Sequence, residues 1–486
     1  MILDATQLMP EGSALDGAAV CVIGSGPAGL IVASTLARAG KEVVLLEAGG
    51  LEVSAESQDI YAGVNAGDPY MDLDTCRLRY FGGTSNHWAG WSRPLTDHDF
   101  EARPHVPLSG WPIAKRDIAP YLDAAAGILA IEPFPPNEPL AGAEGDFERV
   151  TWRFAKNKRF AKMYRAEVDS SPRLRMVLNA NVVDLEADPS SGAIRHAVCR
   201  HYGADAPLFR VSAPIFVLAC GGIENARILL AANRQFKDGI GNQHDLVGRN
   251  FLEHPHFDIG LYIDFSGGFD ARRNFVVTTR QFARRMEILN CVVVLHAYLD
   301  EDWSKDIGDH LIQELCEVAP DLASRMLPGL GLDCTLGRIR VMSEQAPNLA
   351  SRVMLSKEVD AFGQRRVRLE WRKTALDRDT IAETARRLGE VFATTDMARL
   401  KIADWLLDPD APWPEDGPLG GAHHMGTTRM AATPRTGVVD ANCRMFGHPN
   451  LYVAGSSVFP TGGYANPTLT IVQLALRLAD HLIARL

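Results

Sequence analysis

The sequence predicts an α/β fold: a parallel, Rossmann-like nucleotide-binding sheet that carries an inserted α+β domain built on an antiparallel sheet. Three observations predict it. Ala18–Ile23 is a continuous apolar run, as a parallel strand covered on both faces requires, and Gly24-Ser25-Gly26-Pro27-Ala28-Gly29 follows at once. Leu451–Ala454 is a second run of this kind, and it too enters a Gly-rich turn and a helix. Between them, from Phe257 to about Leu419, the strands alternate apolar and polar residues, the pattern of an antiparallel sheet.

Taken in order, Leu30–Arg38 has helical apolar spacing and stops at Gly40, a helix-ending position. Lys41–Leu46 is the next buried strand, and Glu47 ends it, completing a βαβ unit. Residues 50–150 are irregular and rich in Gly, Pro and aromatics around Phe81–Trp88, and long loops of that kind serve sites. A strand pair over Leu174–Glu186, then Ala213–Ala219 entering Cys220-Gly221-Gly222 and a helix over Ile223–Leu230, return the chain to the first sheet. Strands are expected at Asp258–Asp264, Cys291–Leu299 and Val367–Trp371, with a helix near His310–Met326. The last helix runs from Pro467 to about Ile483. These elements divide the chain into a nucleotide-binding domain of residues 1–110, 150–255 and 420–486, a substrate domain of 256–419 and a connecting loop and helix segment of 111–149.

Composition narrows the partners. With 46% apolar and 23% charged residues the 486-residue chain is an ordinary globular protein, and its net charge of −10 argues against nucleic acid and anionic membrane. The eight cysteines are scattered without a CxxC pair, so they read as reduced core thiols, with neither a disulfide frame nor a metal site. Residues 1–16 lack the pattern of a signal peptide and no stretch of ~18 apolar residues occurs, which makes a cytoplasmic protein the default expectation. A homo-oligomer stays open.

Gly24, Gly26 and Gly29 form GxGxxG between strand and helix, and an acid, Glu47, ends the following strand. In that context the glycines allow a tight turn, backbone N–H groups meet a pyrophosphate, and the carboxylate accepts from the ribose hydroxyls while repelling a 2′-phosphate. An adenine dinucleotide follows. Tyr452-Val453-Ala454-Gly455-Ser456 through Asn466-Pro467-Thr468 adds a second strand, turn and helix, whose N-terminus suits an extended FAD better than a nicotinamide.

Four blocks together resemble the glucose-methanol-choline (GMC) oxidoreductases: Val22–Gly29 with Leu46–Gly50, Phe81–Gly90, Ala219–Arg227, and His423–Met430 with Leu451–Asp480. The resemblance implies FAD held by Gly24, Ser25, Gly26, Pro27, Ala28, Gly29, Glu47, Ala48, Gly82, Gly83, Asn86, His87, Trp88, Ala89, Val183 (a backbone contact to adenine), Cys220, Gly221, Gly455, Pro467 and Thr468. The family's HxxGT pattern falls on His423, with Gly426 and Thr427 completing it. A histidine of unperturbed pKa ~6.5 is largely neutral near pH 7 and can take an alcohol proton. His424 is the competing candidate, because adjacent side chains in an extended segment point to opposite sides. Asn466 stands where the family carries His or Asn; its amide can hold the substrate oxygen but cannot act as base, and its alternative role is a helix N-cap. His87 matches the position at which some members bond histidine to the flavin 8α-methyl; the alternative is a ring that packs beside the flavin. Trp88, Trp91 and Trp111 are candidates for a sugar-like site or for core. The reaction so implied is oxidation of a primary or secondary alcohol, a sugar or glycoside first and a hydroxylated secondary metabolite second, with O2 or an external acceptor reoxidising the flavin. An FAD-containing lyase and a non-catalytic FAD-binding protein are the rival readings.

Overall fold

The computed structural model describes residues 1–8, 14–203, 206–264, 275–297, 335–415 and 420–486. Strand β1 (Val20–Ile23), helix α1 (Pro27–Arg38) and strand β2 (Val43–Leu46) form the first parallel unit, and all eight strand residues are buried. Helix α1 begins three residues before the hydrophobic period suggests, because Pro27 fixes a helical φ at the first position, where no N–H partner is needed. Gly40, at φ +83°, ends it in the left-handed region.

Strand β3 (Leu174–Leu178) pairs parallel with β2, Ile2–Asp4 lies outside β3, and β4 (Ile215–Leu218) pairs with the other side of β1. Helix α2 (Gly221–Ala231) follows β4. The strand pair expected over Leu174–Glu186 does not form. Its halves do not pair: β3 joins the parallel sheet, whereas Asn181–Ala187 pairs with Ile194–Arg200 in a separate four-stranded sheet. The cause is the bend at Asn179 (φ +55°), where the Asn179 and Ala180 N–H groups donate to the carbonyls of Gly49 and Glu47 and tie the turn to the end of β2.

The second large sheet contains β5 (His256–Asp264), β6 (Cys291–Ala297) and β7 (Thr335–Ser343), antiparallel in the order β5, β7, β6. Ala398–Ile402 flanks β5; Phe275–Thr278, Phe147–Val150 and Glu138–Pro139 extend the other side. Two strands from the stretch 138–150 thus lie in this sheet. Helix α3 (Ala375–Thr394), opened by a Thr374–Asp377 capping box, covers one face, where Val293, Ile339 and Val341 pack with Ile381, Leu388 and Phe392. With a side-chain period of two, Val292, Val294 and Met342 fall on the opposite face with Phe275, Trp152 and Tyr464. The helix expected near His310–Met326, and the end of the Cys291–Leu299 strand, lie outside the described residues.

The chain then returns. Strand β8 (Leu451–Val453) pairs parallel with β4 and completes the first sheet, and helix α4 (Thr468–Arg485) packs against α1 through a buried stripe that includes Leu469, Val472, Ala475 and Leu482. Among the described residues no helix is long and apolar enough to cross a membrane.

Candidate active site

A cavity of about 630 Å3 lies between the two sheets, lined from Glu47, Ala180 and Val182 at one end to His423, Asn466 and the β5–β7 face at the other. Its first wall is backbone. Three helix N-termini open on it: Gly26 to Ala28 before and in α1, Cys220 and Gly221 at α2, and Asn466 to Thr468 at α4. Neither α1 nor α2 nor α4 has a side-chain cap, so the first-turn N–H groups and the positive dipole end are left for an anionic ligand. The glycines are steric requirements: a Cβ on Gly29 would stand 1.8 Å from the Gly24 carbonyl oxygen, and one on Gly24 would stand 2.7 Å from that of Ala219. Glu47 is buried and oriented, its Oε2 accepting from the Ser25 N–H (3.1 Å) and hydroxyl (2.5 Å) and its Oε1 from the Gly49 N–H (2.8 Å).

At the other end, the Asn466 amide nitrogen lies 3.2 Å from His423 Nε2, and Trp152 Nε1 donates to Asn466 Oδ1 at 2.9 Å. His423 Nδ1 is 2.8 Å from His254 Nδ1. The segment bearing His423 hangs on the buried Glu253 carboxylate, which accepts from the N–H groups of His423 (2.8 Å), Gly421 (3.2 Å) and His254 (2.6 Å) and from the Tyr70 hydroxyl (2.7 Å). His424 turns the other way: its ring packs on Phe251 and Tyr70, with Nε2 3.6 Å from Cys76 Sγ.

The second wall is made of side chains from one face of the antiparallel sheet: His256 on β5, Val294 and His296 on β6, Arg340 and Met342 on β7, with Trp91 beside them. Arg340 bonds Asp258 through Nε (2.8 Å) and Nη2 (3.3 Å). The His256 Nε2 atom is buried without a hydrogen-bond partner among the described residues. Because these rings meet only the cavity and not bulk water, burial disfavours their charged forms. It pushes His254 down to about 4, with the bond to the Gly462 carbonyl and the charge of Glu344 opposing, and His256 to about 3, aided by His254 and Arg340. His423 falls well below its ordinary value, chiefly by burial and further by His254 and His256. All three are neutral at pH 7. Burial raises Glu253 to about 7 against the hydrogen bonds it accepts.

The family described as GMC oxidoreductase matches residues 347–475, and the family described as FAD binding domain matches residues 17–55. The paromamine 6'-oxidase of Streptomyces fradiae is 26% identical over 95% of this chain and 90% of its own length. The 2-methyl-1,2-propanediol dehydrogenase of Mycolicibacterium austroafricanum is 25% identical over 96% of this chain and 95% of its own. A GMC oxidoreductase domain thus lies at residues 347–475, and over 98% of its length the chain is similar, at 26% identity, to a GMC-type oxidoreductase of Mycobacterium tuberculosis. The fold of the chain is shared with a solved fungal aryl-alcohol oxidase at TM-score 0.59 and 14% identity, covering 97% of this chain and 99% of that one. The cofactor is FAD, and the cavity fits it: a Gly-cradled turn, an oriented carboxylate and three uncapped helix ends meet in one extended space.

Most residues that the sequence singles out for FAD meet in this cavity: Gly24, Ser25, Gly26, Pro27, Ala28, Glu47, Ala48, Gly83, His87, Trp88, Ala89, Cys220, Gly221, Gly455, Pro467 and Thr468. Four stand outside its lining. Gly29 lies behind the turn, packed on Gly24; Gly82 donates its N–H to the Ser25 hydroxyl (3.2 Å); and the Asn86 amide donates to the Phe81 carbonyl (2.8 Å). The side chain of Val183 lines a separate pocket with Arg200 and Arg234, and its neighbour Val182 faces the FAD cavity. Asn466 makes no cap: the residue at the cap position of α4 is Pro467. Trp88 and Trp91 line the cavity, while Trp111 is core and donates to Thr461. Sequence reasoning missed Glu253, His254, His256, Trp152 and Arg340. The one legible signal was Glu253-His254-Pro255-His256, two histidines spaced for the same side of an extended segment beside an acid.

Proposed function

We propose that this protein is a GMC oxidoreductase that oxidises an alcohol carbon to a carbonyl, with His423 as base and Asn466 as the holder of the substrate oxygen. The observation that carries the reading is the pair itself: a neutral imidazole nitrogen and an amide donor 3.2 Å apart, exposed to one cavity between the FAD cradle and the side-chain wall. When bound, the flavin supplies the acceptor for the hydride that leaves the alcohol carbon. His423 Nε2 takes the hydroxyl proton, because a carbon bearing an alkoxide-like oxygen gives up hydride far more readily than a neutral alcohol does. Asn466 Nδ2 donates to that oxygen and, having no basic lone pair, leaves the proton to histidine. Val294, Met342 and Trp91 hold the substrate carbon skeleton and keep water out.

The pyrophosphate is assigned to the N-termini of α1 and α2, the ribose to Glu47, and the ring to the stretch between His87 and α4. Sheet membership supports a division into a flavin unit and a substrate unit built on β5, β6 and β7, to which residues 138–150 contribute. Similarity to a paromamine oxidase and to a diol dehydrogenase supports a polyhydroxylated substrate. Anaerobic mixing with a panel of sugars, glycosides and diols tests the reading: an alcohol substrate bleaches the flavin absorbance, whereas a lyase turns over its substrate without bleaching. His87 is exposed at the Gly83–Gly90 end of the cavity, and we assign it as the point of covalent attachment. Acid precipitation decides that assignment: a yellow pellet carries it, and flavin left wholly in the supernatant removes it.

A further inference from the structure

One chain of hydrogen bonds at the base has both of its ends fixed. It runs from Trp152 Nε1 to Asn466 Oδ1 (2.9 Å), from Asn466 Nδ2 to His423 Nε2 (3.2 Å), from His423 Nδ1 to His254 Nδ1 (2.8 Å) and from His254 Nε2 to the Gly462 carbonyl (3.4 Å). An indole N–H can only donate and a carbonyl oxygen can only accept, whereas the amide and the two neutral imidazoles between them can each do one at either end. The direction of every link therefore follows. Asn466 must turn its oxygen to the indole and its NH2 to His423, so His423 Nε2 is an acceptor without a proton. His254, whose far nitrogen must carry its proton to reach Gly462, accepts at Nδ1, and the shared proton sits on His423 Nδ1. The two rings cross at 80° with centroids 4.9 Å apart, and His254 is buried.

We infer that His254 is a positioning residue that locks the neutral His423 ring in its Nδ1–H tautomer, so that the lone pair of the base stands on Nε2, beside Asn466 and open to the cavity. Left alone, a neutral imidazole exchanges between two tautomers, and only one of them offers Nε2 to an alcohol. A partner that accepts from Nδ1–H selects that tautomer, much as the carboxylate does in a Ser-His-Asp triad, but here the partner is a second, uncharged ring. The neighbouring Glu253 holds the His423 backbone, so one dipeptide fixes both position and tautomer of the base. The link to alcohol oxidation rests on the function proposed above; the tautomer itself does not.

The test uses FAD-loaded protein labelled with 15N-histidine, with the His423 signals assigned by their loss in His423→Gln. Long-range 1H–15N spectra should show a protonated Nδ1 and a bare Nε2 in the wild type; a protonated Nε2 or an averaged pair overturns the inference. His254→Leu should release the ring to a mixture and slow flavin reduction by at least ~10-fold, whereas His254→Asn, whose carbonyl oxygen replaces the accepting nitrogen, should keep the tautomer and restore most of the rate. If His254→Leu keeps Nδ1 protonated, another group holds the ring and the inference fails. Should His254→Leu not fold, the wild-type spectrum and the Asn variant still decide. An intact Nδ1–H signal together with a His423→Ala variant that still reduces flavin would remove the base assignment and leave the tautomer lock standing.

Discussion

The two walls of the cavity recognise ligands by different means. On the cofactor side, the turn before α1 and the uncapped ends of α2 and α4 offer backbone N–H groups, and side chains are mostly kept out. Opposite, β5, β6 and β7 offer imidazoles, a guanidinium and a thioether from one sheet face. A backbone wall depends on the absence of Cβ atoms and so tolerates little change. A side-chain wall can change residue by residue without moving the sheet beneath it, which is how one cofactor cradle can serve many alcohols.

The largest effect should come from adding one side chain to the backbone wall. Gly29→Val would drive its Cβ into the Gly24 carbonyl, 1.8 Å away, and should abolish FAD binding, seen as a colourless protein; Gly127→Ala, where a Cβ meets nothing within 4 Å, should stay yellow. A yellow Gly29→Val protein would show that the turn can move and that the wall is not rigid.

The next effect separates chemistry from binding. His423→Ala should keep FAD but slow flavin reduction by roughly 10²- to 10⁴-fold, the range for losing a general base. His424→Ala should cost far less in that step, because its ring lies among Phe251, Tyr70 and Cys76. Stopped-flow reduction of both variants checks this, and a reversed order would exchange the roles of the two histidines.

The smallest effect is in pH. Backbone N–H groups do not titrate, so FAD affinity should be flat between pH 6 and 8. His423 is held well below its ordinary value by burial and by His254 and His256, so it stays unprotonated as pH falls to 6.5. The rate of reduction should hold across that range and fall only at lower pH, as the base takes a proton. Arg340 faces the same rings and acts in the same direction on His256. Glu253, held up near 7, accepts from the His423 backbone, and Glu253→Gln should leave the acid limb in place. A midpoint at or above 6.5 in both proteins would mean that the base is less buried than its surroundings imply.

The same contrast explains what the sequence made legible. The β1–α1–β2 unit could be read because its evidence is local: Val20–Ile23, the glycines and Glu47 lie within one stretch of chain. The division of Leu174–Glu186 between two sheets could not, because the Asn179 turn is fixed by Gly49 and Glu47, far away in sequence. His423 and Asn466 stood out through their motif. Their supports stood out far less: Trp152 and His254 acquire a role only when residues 314 and 169 positions apart meet, and only the Glu253-His254-Pro255-His256 spacing hints at it locally. Arg340 reads as one more charge on an alternating strand until the sheet turns it toward the cavity.

Strand β8 has a further consequence, one that concerns time. The edge of the first sheet next to β4 is filled by residues 451–453, made long after β1, α1 and β2 have left the ribosome, and α4 packs on α1 later still. Closing so long a loop adds little to its equilibrium cost, which grows only logarithmically with length, but contacts this distant in sequence slow folding markedly. During synthesis the nascent chain therefore carries a half-built cradle with one exposed strand edge, a surface prone to pair with the wrong partner. A cradle with α4 as one of its walls is complete only when these last elements dock, and a ligand that binds the completed cradle favours the closed sheet by mass action.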